Sequence, residues 1–501
     1  MNVNWKALQN GSDIRGVAVE GIQGEVVNLD GNIVCHLGKA FYSWLQSKHG
    51  GSTNVSVGLD SRVSGPSLKQ RFAEGILSLG GNIVDCGLAS TPAMFMTTKD
   101  PDLNVQAGVM LTASHLPFNR NGLKFFTAEG GLNKTDIKEI LQIAEENVEF
   151  DEAKKQGSVR KVNFIDTYAA NMVETIRKRV NDVENFEQPL NGLKIIVDAG
   201  NGAGGFFENS VLLPLGADTE GSQFLDPDGM FPNHMPNPEN KEAMESICKA
   251  VLNSKANLGI IFDTDVDRAA VVDSAGNPIN RNALIALMSA IVLEEHPGST
   301  IVTDSVTSDG LNAFIENVLK GKHHRFKRGY KNVINESIRL NETGVDSQLA
   351  IETSGHAALK ENYFQDDGAY LVAMVLVKIA KLKSKGTSIS ELIKNLEQPA
   401  ESEEYRLSLP AADHVSAGSV ILESLAEITG KQEGWEIVQP NYEGIRVKCR
   451  EEKGWFLLRL SLHDPLLVLN VESDTAGGCR KILSKLKEIL SGFEQLDISG
   501  L

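Results

Sequence analysis

Leu258-Gly259-Ile260-Ile261-Phe262-Asp263-Thr264-Asp265 is an apolar run of buried-strand type that passes directly into an acidic loop. The same design occurs twice upstream. Val105 to Leu111 leads into Thr112-Ala113-Ser114-His115, and Leu193 to Val197 leads into Asp198-Ala199-Gly200-Asn201-Gly202. Strand-like runs alternating with helix-period stretches predict an α/β fold. In open α/β sheets ligands collect beyond the carboxyl ends of strands, so chemistry is expected in these three loops. A chain of 501 residues is too long for one hydrophobic core. Its pattern divides into α/β domains at 1–155, 156–275 and 276–398, then a small α+β domain at 399–501. The last is built from hairpin-like strands (Gly444 to Arg450, Trp455 to Ser461, Leu466 to Glu472) and a final helix. The charged stretch Glu145 to Arg160 reads as a helical linker closing the first domain.

An apolar fraction of 41% and a charged fraction of 23% are those of an ordinary globular protein. Net charge is −17, which disfavours generic nucleic-acid or anionic-membrane binding, because both need a basic face. A small anionic substrate stays open, since a site can be locally basic in an acidic protein. No apolar run approaches the length that spans a bilayer. Cys35, Cys86, Cys248, Cys449 and Cys479 lie far apart without a CxxC pair, which fits reduced thiols and neither a zinc site nor a disulfide framework. Met1 to Ile14 shows no signal-peptide pattern, so a reducing compartment is expected and secretion is not.

The sharpest motif is Asp263-Thr264-Asp265-Val266-Asp267-Arg268. In an extended loop alternate side chains point the same way, so three carboxylates are expected to converge. Oxygen-only ligation suits Mg²⁺ or Ca²⁺. An EF-hand would need Gly at the sixth position and Glu at the twelfth, where Arg268 and Ser274 stand, so that reading fails. A solvated acidic turn is the plain alternative. Thr112-Ala113-Ser114-His115-Leu116-Pro117 places a serine at a strand end, as for a nucleophile. It is no nucleophile elbow, because Thr112 and Leu116 stand where glycines are required, and an ordinary turn serine is the default. Ser114 and His115 are not expected to form a dyad, since neighbouring side chains in extended chain diverge. Lys124, in Asn121-Gly122-Leu123-Lys124, is a candidate to act on a transferring proton.

Gly200-Asn201-Gly202-Ala203-Gly204-Gly205 satisfies GxGxxG after a strand, with Glu220 further on, so a dinucleotide-dependent dehydrogenase is a rival. Its mid-chain place after a complete α/β domain weighs against it. Glu352-Thr353-Ser354-Gly355-His356 puts hydrogen-bonding side chains and an imidazole on a tight turn, as a polyol binder or a simple cap would. Arg459-Leu460-Ser461-Leu462-His463-Asp464-Pro465 either cradles a phosphate through Arg459 and Ser461 or carries a solvent-facing arginine.

Taken together and in this order, the segments resemble the signature loops of the phosphoglucomutase/phosphomannomutase (α-D-phosphohexomutase) superfamily, over essentially the whole chain. Ser114, His115, Pro117 and Lys124 match its phosphoserine loop; Asp263, Asp265, Asp267 and Arg268 match its metal loop; Glu352, Ser354, Gly355 and His356 match its sugar loop. Asp13-Ile14-Arg15-Gly16, Asp60-Ser61-Arg62-Val63-Ser64-Gly65-Pro66, Asp198 to Gly202 and Asp226-Pro227-Asp228-Gly229-Met230-Phe231-Pro232 match as well, and the dehydrogenase reading falls. The resemblance implies four domains around a central cleft and an isomerase interconverting hexose 1-phosphate and 6-phosphate, of glucose or mannose. Phosphorylated Ser114 and a hexose 1,6-bisphosphate, also the activator, are implied as intermediates. Mg²⁺ is implied on Ser114, Asp263, Asp265 and Asp267. Arg15, Lys124 and His115 are implied in catalysis, and Arg268, Tyr330, Glu352, Ser354 and His356 in substrate binding. A sugar phosphate is the expected partner of a monomer or weak dimer, with no nucleic acid and no membrane.

Departures cluster in the phosphate loop, implied at Arg459, Ser461, His463 and Asn470. His463 replaces the family's Thr, Asp464 follows, and Asn470 stands where an arginine is usual. Loss of a fixed positive charge weakens phosphate binding, which His463 offsets in part when protonated. Leu116, Ala350-Ile351 and Arg328-Gly329-Tyr330 also differ from the family pattern. These variants resemble a plant and algal branch, which adds plastid stroma to cytoplasm as an expected location. Thr353 is neither the Met common in glucose/mannose enzymes nor the Gln common in glucosamine ones. Phosphoglucosamine mutase therefore stays open, as does a paralogue serving as bisphosphate synthase, phosphatase or sugar-phosphate-binding regulator.

Overall fold

The computed structural model describes residues 3–50, 53–147, 149–383, 385–410, 413–461 and 464–501. The chain forms two compact units, Met1–Ile291 with Ser354–Leu392, and Val292–Thr353 with Ile393–Leu501. The mixed α/β architecture expected from the sequence is present.

In the first unit, a mixed sheet runs in the order Gln9–Asn10, Asp13–Val17, Arg120–Thr127, Ala107–Leu111, Asn54–Leu59, Asn82–Leu88, Val159–Lys161. Ala107–Leu111 is buried throughout, as a central strand flanked by covered faces must be. Helix Gly31–His49 starts at Asp30, whose carboxylate accepts from Asn32 N and Ile33 N, and it stops at Gly50. Phe41 on this helix packs against Phe72 and Phe125. The antiparallel strands Asp13–Val17 and Arg120–Thr127 carry Arg15 and Lys124, with Met110 directly opposite Lys124. Glu145 to Arg160 is not a helical linker. Helix Lys134–Glu146 ends within it, and Val159–Lys161 joins the sheet edge in parallel with Ile83 to Asp85. Open backbone groups on that edge, with Ile83 N donating to Ser158 O at 2.8 Å, win over the helical preference of the charged run.

The unit's second sheet has the order Pro278–Ile279, Ala269–Asp273, Leu258–Phe262, Ile195–Asp198. Leu258–Phe262 is parallel to Ile195–Asp198 and forms an antiparallel pair with Ala269–Asp273. The acidic motif is therefore a hairpin turn. The Gly200–Gly205 loop packs against that turn: a Cβ on Gly202 would lie 2.7 Å from Thr264 O, and Ala203 N donates to the same oxygen at 2.8 Å. Its glycines buttress the acidic turn, a packing task that calls for small residues at these positions.

Asp198, at the end of its strand, meets His234 Nε2 at 3.0 Å, and His234 Nδ1 reaches Met235 O at 3.1 Å. Burial alone would lower the His234 pKa, but the bond and charge of Asp198 outweigh it and the pKa is raised. A raised folded-state pKa stabilises the protein below the unfolded value of about 6.5, and that contribution is lost as pH rises through the folded value. The thermal midpoint of wild type relative to His234→Gln is therefore expected to fall as pH is taken from 6 to 9. The pH-sensitive part is a fraction of the about 2 kcal/mol of a charge-assisted hydrogen bond. A pH-independent difference would refute a charged His234.

In the second unit, Lys322–Arg325, Thr300–Thr303 and Ser347–Ile351 pair in parallel. The C-terminal antiparallel sheet has the order Glu401–Ser408, Leu466–Ser473, Gly454–Leu460, Ile445–Cys449, Trp435–Ile437. Helices His414–Thr429 and Gly478–Leu490 close its core through Ile421, Leu425, Ile482 and Leu486. Arg446, 3.5 Å from the Trp455 ring centroid, donates to Ser305 O, Thr307 O and Asp309 Oδ1 at 2.9 to 3.0 Å. Those bonds tie the C-terminal sheet to the loop after Thr300–Thr303.

Candidate active site

Asp263, Asp265 and Asp267 each offer an oxygen within 4.8 Å of the others, and all three are buried. Their convergence comes from a turn, not the extended chain expected from alternation. Val266 is in the left-handed region at φ 66°, which a β-branched residue rarely adopts. Val266 O accepts from Gly368 N at 3.1 Å, and Asp263 O accepts from Val266 N at 3.3 Å. Lys124 Nζ donates to Asp265 Oδ2 at 3.0 Å and also bonds Asp267. Burial and the charges of Asp267 and Asp265 raise the Asp263 pKa well above the carboxylate range. Burial pushes Asp267 the same way, but Lys124 and Arg268 overcome it and hold its pKa low. Among the described residues, Asp265 Oδ1 and Asp267 Oδ1 are buried acceptors without a hydrogen-bond donor. Orphaned oxygens in an all-carboxylate set fit a hard divalent cation. A second grouping, Asp267, His356 and Asp366, shares Asp267 with the first.

Ser114 lies 1% exposed at the end of Ala107–Leu111, with φ at 52°. Its Oγ is 3.1 Å from Asp263 Oδ2 and 3.3 Å from His115 Nδ1, and it accepts from Arg268 Nη2 at 3.4 Å. The expected divergence of Ser114 and His115 is overturned, because the left-handed turn swings neighbouring side chains to the same side. Arg268, burial and Arg15 together lower the His115 pKa to about 2, so the ring is neutral at pH 7 and a weak base. Arg15 is paired with Asp13 at 2.9 Å. His356 Nε2 accepts from Arg268 Nε at 3.0 Å, and its Nδ1 is 2.8 Å from Ser354 Oγ. Burial, Arg268 and Lys124 push the His356 pKa far down, so its 3.6 Å approaches to Asp267 and Asp366 are not ion pairs. The first unit thus assembles Ser114, His115, Lys124, Arg15, Asp263, Asp265, Asp267, Arg268, Ser354 and His356.

The second unit holds Tyr330, Glu352, Arg459, Ser461 and Asn470, while His463 lies outside the described residues. Glu352 Oε1 accepts from Gly329 N at 2.6 Å, beside Tyr330 at the start of helix Tyr330–Glu342. Arg459 and Asn470 share one face of adjacent strands, Arg459 opposite Val468 and Asn470 opposite Leu457. Asn470 Nδ2 donates to Glu404 Oε2 at 3.1 Å. Among the described residues, Arg459 Nε and Asn470 Oδ1 are buried without a hydrogen-bond partner, the mark of a place for a polar ligand. Burial lowers the Arg459 pKa, with Glu443 and Glu404 acting against that fall. Ser461 Oγ accepts from Asp464 N at 3.2 Å.

Two residues given no site role by the sequence turn out to serve this site. Thr91 N donates to Asp265 O at 2.8 Å and Thr91 Oγ1 to Asp265 Oδ2. Arg62 donates to main-chain oxygens of the Ser114 loop. The only sequence signal for Thr91 is its strand-end Ser90-Thr91-Pro92, common to many turns.

Sequence models described as phosphoglucomutase/phosphomannomutase α/β/α domains I, II and III match residues 7–151, 164–276 and 280–400. The chain belongs to the phosphoglucomutase/phosphomannomutase family. It is accordingly an enzyme of the isomerase class, an intramolecular phosphotransferase. A phosphoglucomutase of Neisseria gonorrhoeae is 30% identical, covering 95% of this chain and 96% of its own length. A phosphomannomutase/phosphoglucomutase of Pseudomonas putida is 31% identical over 94% of this chain and 92% of its own. The crystal structure of a phosphoglucomutase/phosphomannomutase family protein from Burkholderia thailandensis superposes with a TM-score of 0.79 at 26% identity, covering 98% of both chains. That span takes the phosphoglucomutase/phosphomannomutase architecture through the C-terminal sheet.

Proposed function

We propose that the chain interconverts hexose 1-phosphate and hexose 6-phosphate, of glucose or mannose, through phosphorylated Ser114 and a hexose 1,6-bisphosphate. The observation carrying this is Ser114 Oγ set among Asp263, His115 Nδ1 and Arg268 Nη2 within 3.4 Å. In the forward half, the P–O bond to Ser114 Oγ breaks as one forms to a free sugar hydroxyl. The hydroxyl proton leaves to a base, and Ser114 Oγ regains a proton. The second half reverses this with the other phosphate of the bisphosphate. His115, neutral and with Nδ1 3.3 Å from Oγ, is placed to orient the Ser114 hydroxyl by a hydrogen bond. Lys124 and Arg268, both buried, supply fixed positive charge where charge stabilisation is stronger than in water. Mg²⁺ on Asp263, Asp265, Asp267 and Ser114 Oγ would neutralise charge on the transferring group. Glu352, Ser354 and His356 would hold sugar hydroxyls, and Arg459 with Asn470 the distal phosphate.

The test is turnover of glucose 1-phosphate, mannose 1-phosphate and glucosamine 1-phosphate with Mg²⁺ and trace hexose 1,6-bisphosphate. Activity on glucose or mannose phosphate, on the order of 10 s⁻¹, is the expected result. Turnover of glucosamine 1-phosphate alone replaces the substrate, and inactivity of folded protein on all three overturns the reading. The carboxylates of Glu404 and Glu443 near Arg459 favour a second reading, in which the bisphosphate is held weakly and released as product. Bisphosphate accumulating in step with turnover would select it.

A further inference from the structure

Arg62 is 1% exposed and lies in the Asp60–Pro66 loop, outside the groups that face the reaction. Its Nη1 donates to Pro117 O at 2.7 Å and Arg120 O at 2.9 Å; its Nη2 donates to Leu116 O at 2.6 Å and to Ser114 O. Asp60 Oδ2 is 3.3 Å from Arg62 Nε. One planar fork therefore gathers four main-chain carbonyls of the turn that contains Ser114, a task no point charge can copy. The neighbouring loop is fastened to the same turn: Asp60 N donates to Leu111 O at 3.1 Å, and Asn121 Nδ2 donates to Ser64 Oγ at 2.8 Å. From the other side, the Asp226–Pro232 segment closes over Arg62. The Phe231 ring centroid is 5.4 Å from the guanidinium carbon, and a Cβ on Gly229 would lie 2.4 Å from Val63 N and 2.5 Å from Ser61 O.

A buried cation is expensive, and here Asp60 and four carbonyls of a single turn offset that cost, so the guanidinium and the shape of the turn depend on each other. We propose that Arg62 is the positioning residue of the phosphoryl-carrying turn, fixing its backbone so that Ser114 Oγ faces Asp263 and Arg268. A serine in the left-handed region relaxes toward ordinary backbone unless its surroundings hold it there, and Arg62 holds the carbonyl of that same serine. The inference rests on the mutase reading, since the turn has this duty only if Ser114 carries the phosphoryl group.

The experiment compares wild type, Arg62→Ala and Arg62→Lys for kcat and KM on the hexose phosphate turned over. Each is assayed with and without guanidinium at low millimolar concentration, with folding followed by circular dichroism. Folded Arg62→Ala is expected to lose about 100-fold in kcat, with KM within about threefold, and to regain about tenfold with added guanidinium. Arg62→Lys is expected to stay at least about tenfold below wild type, because an ammonium cannot span four carbonyls. Wild-type kcat in folded Arg62→Ala, or a loss that guanidinium leaves unchanged, overturns the proposal. If Arg62→Ala fails to fold, Arg62→Lys decides alone: a kcat loss at constant KM supports it and wild-type kcat ends it. Wild type inactive before any variant is made refutes the mutase reading, and this inference with it.

Discussion

Ser114→Ala is expected to lose at least about 10⁴-fold in kcat/KM while staying folded. The hydroxyl is the only atom removed. Its partners Asp263 and Arg268 keep other contacts, and the turn is held through its backbone by Thr112 Oγ1 and Arg62. The stability loss should be about 1 kcal/mol, that of one hydrogen bond. Mass spectrometry gives an independent reading. Wild type incubated with hexose 1,6-bisphosphate should gain one phosphoryl group, and the variant none. A folded variant within about tenfold of wild-type activity would remove Ser114 from the chemistry.

Removal of divalent cations is expected to cost about 10³-fold or more in turnover, fully restored by Mg²⁺. The same site predicts a thermal signature that needs no substrate. Among the described residues, the three buried carboxylates have Lys124 and Arg268 as their cationic partners within 4 Å. Mg²⁺ at 100 times its Kd should therefore stabilise wild type by about 2.7 kcal/mol. Asp265→Asn removes one like charge while keeping the shape. It is expected to be at least as stable as metal-free wild type and to gain nothing from Mg²⁺. A variant still stabilised by Mg²⁺ to the same extent would move the cation elsewhere.

The α/β class and the three strand-to-loop segments were legible because buried strands are continuous apolar runs, and Leu258–Phe262 has the expected bounds. The acidic motif was legible by spacing, but its turn was not. Nothing in the local sequence announces Val266 at positive φ, which depends on a donor from Gly368, about a hundred residues on. The same blindness hid the meeting of Ser114 and His115, since a serine in the left-handed region has no sequence mark. Arg62 stood in a recognisable motif, yet its partners are carbonyl oxygens of Ser114, Leu116, Pro117 and Arg120, which side-chain patterns do not encode. The linker misread had another cause: charge and helical period do not register an unpaired sheet edge that becomes available only in the fold.

The boundary between the two units falls inside Glu352–His356, between Thr353 and Ser354. Ser114, the acidic turn and His356 are grouped in one unit, while Glu352, Arg459 and Asn470 belong to the other. If the proposed roles hold, the phosphoryl chemistry lies in one packed core and the grip on the distal phosphate in the other, while the sugar-binding residues are divided, Ser354 and His356 with the first and Glu352 with the second. Substitutions such as Asn470 for arginine can then accumulate in one without disturbing the other. A lineage can thereby change what it accepts while inheriting unaltered the means of moving a phosphoryl group.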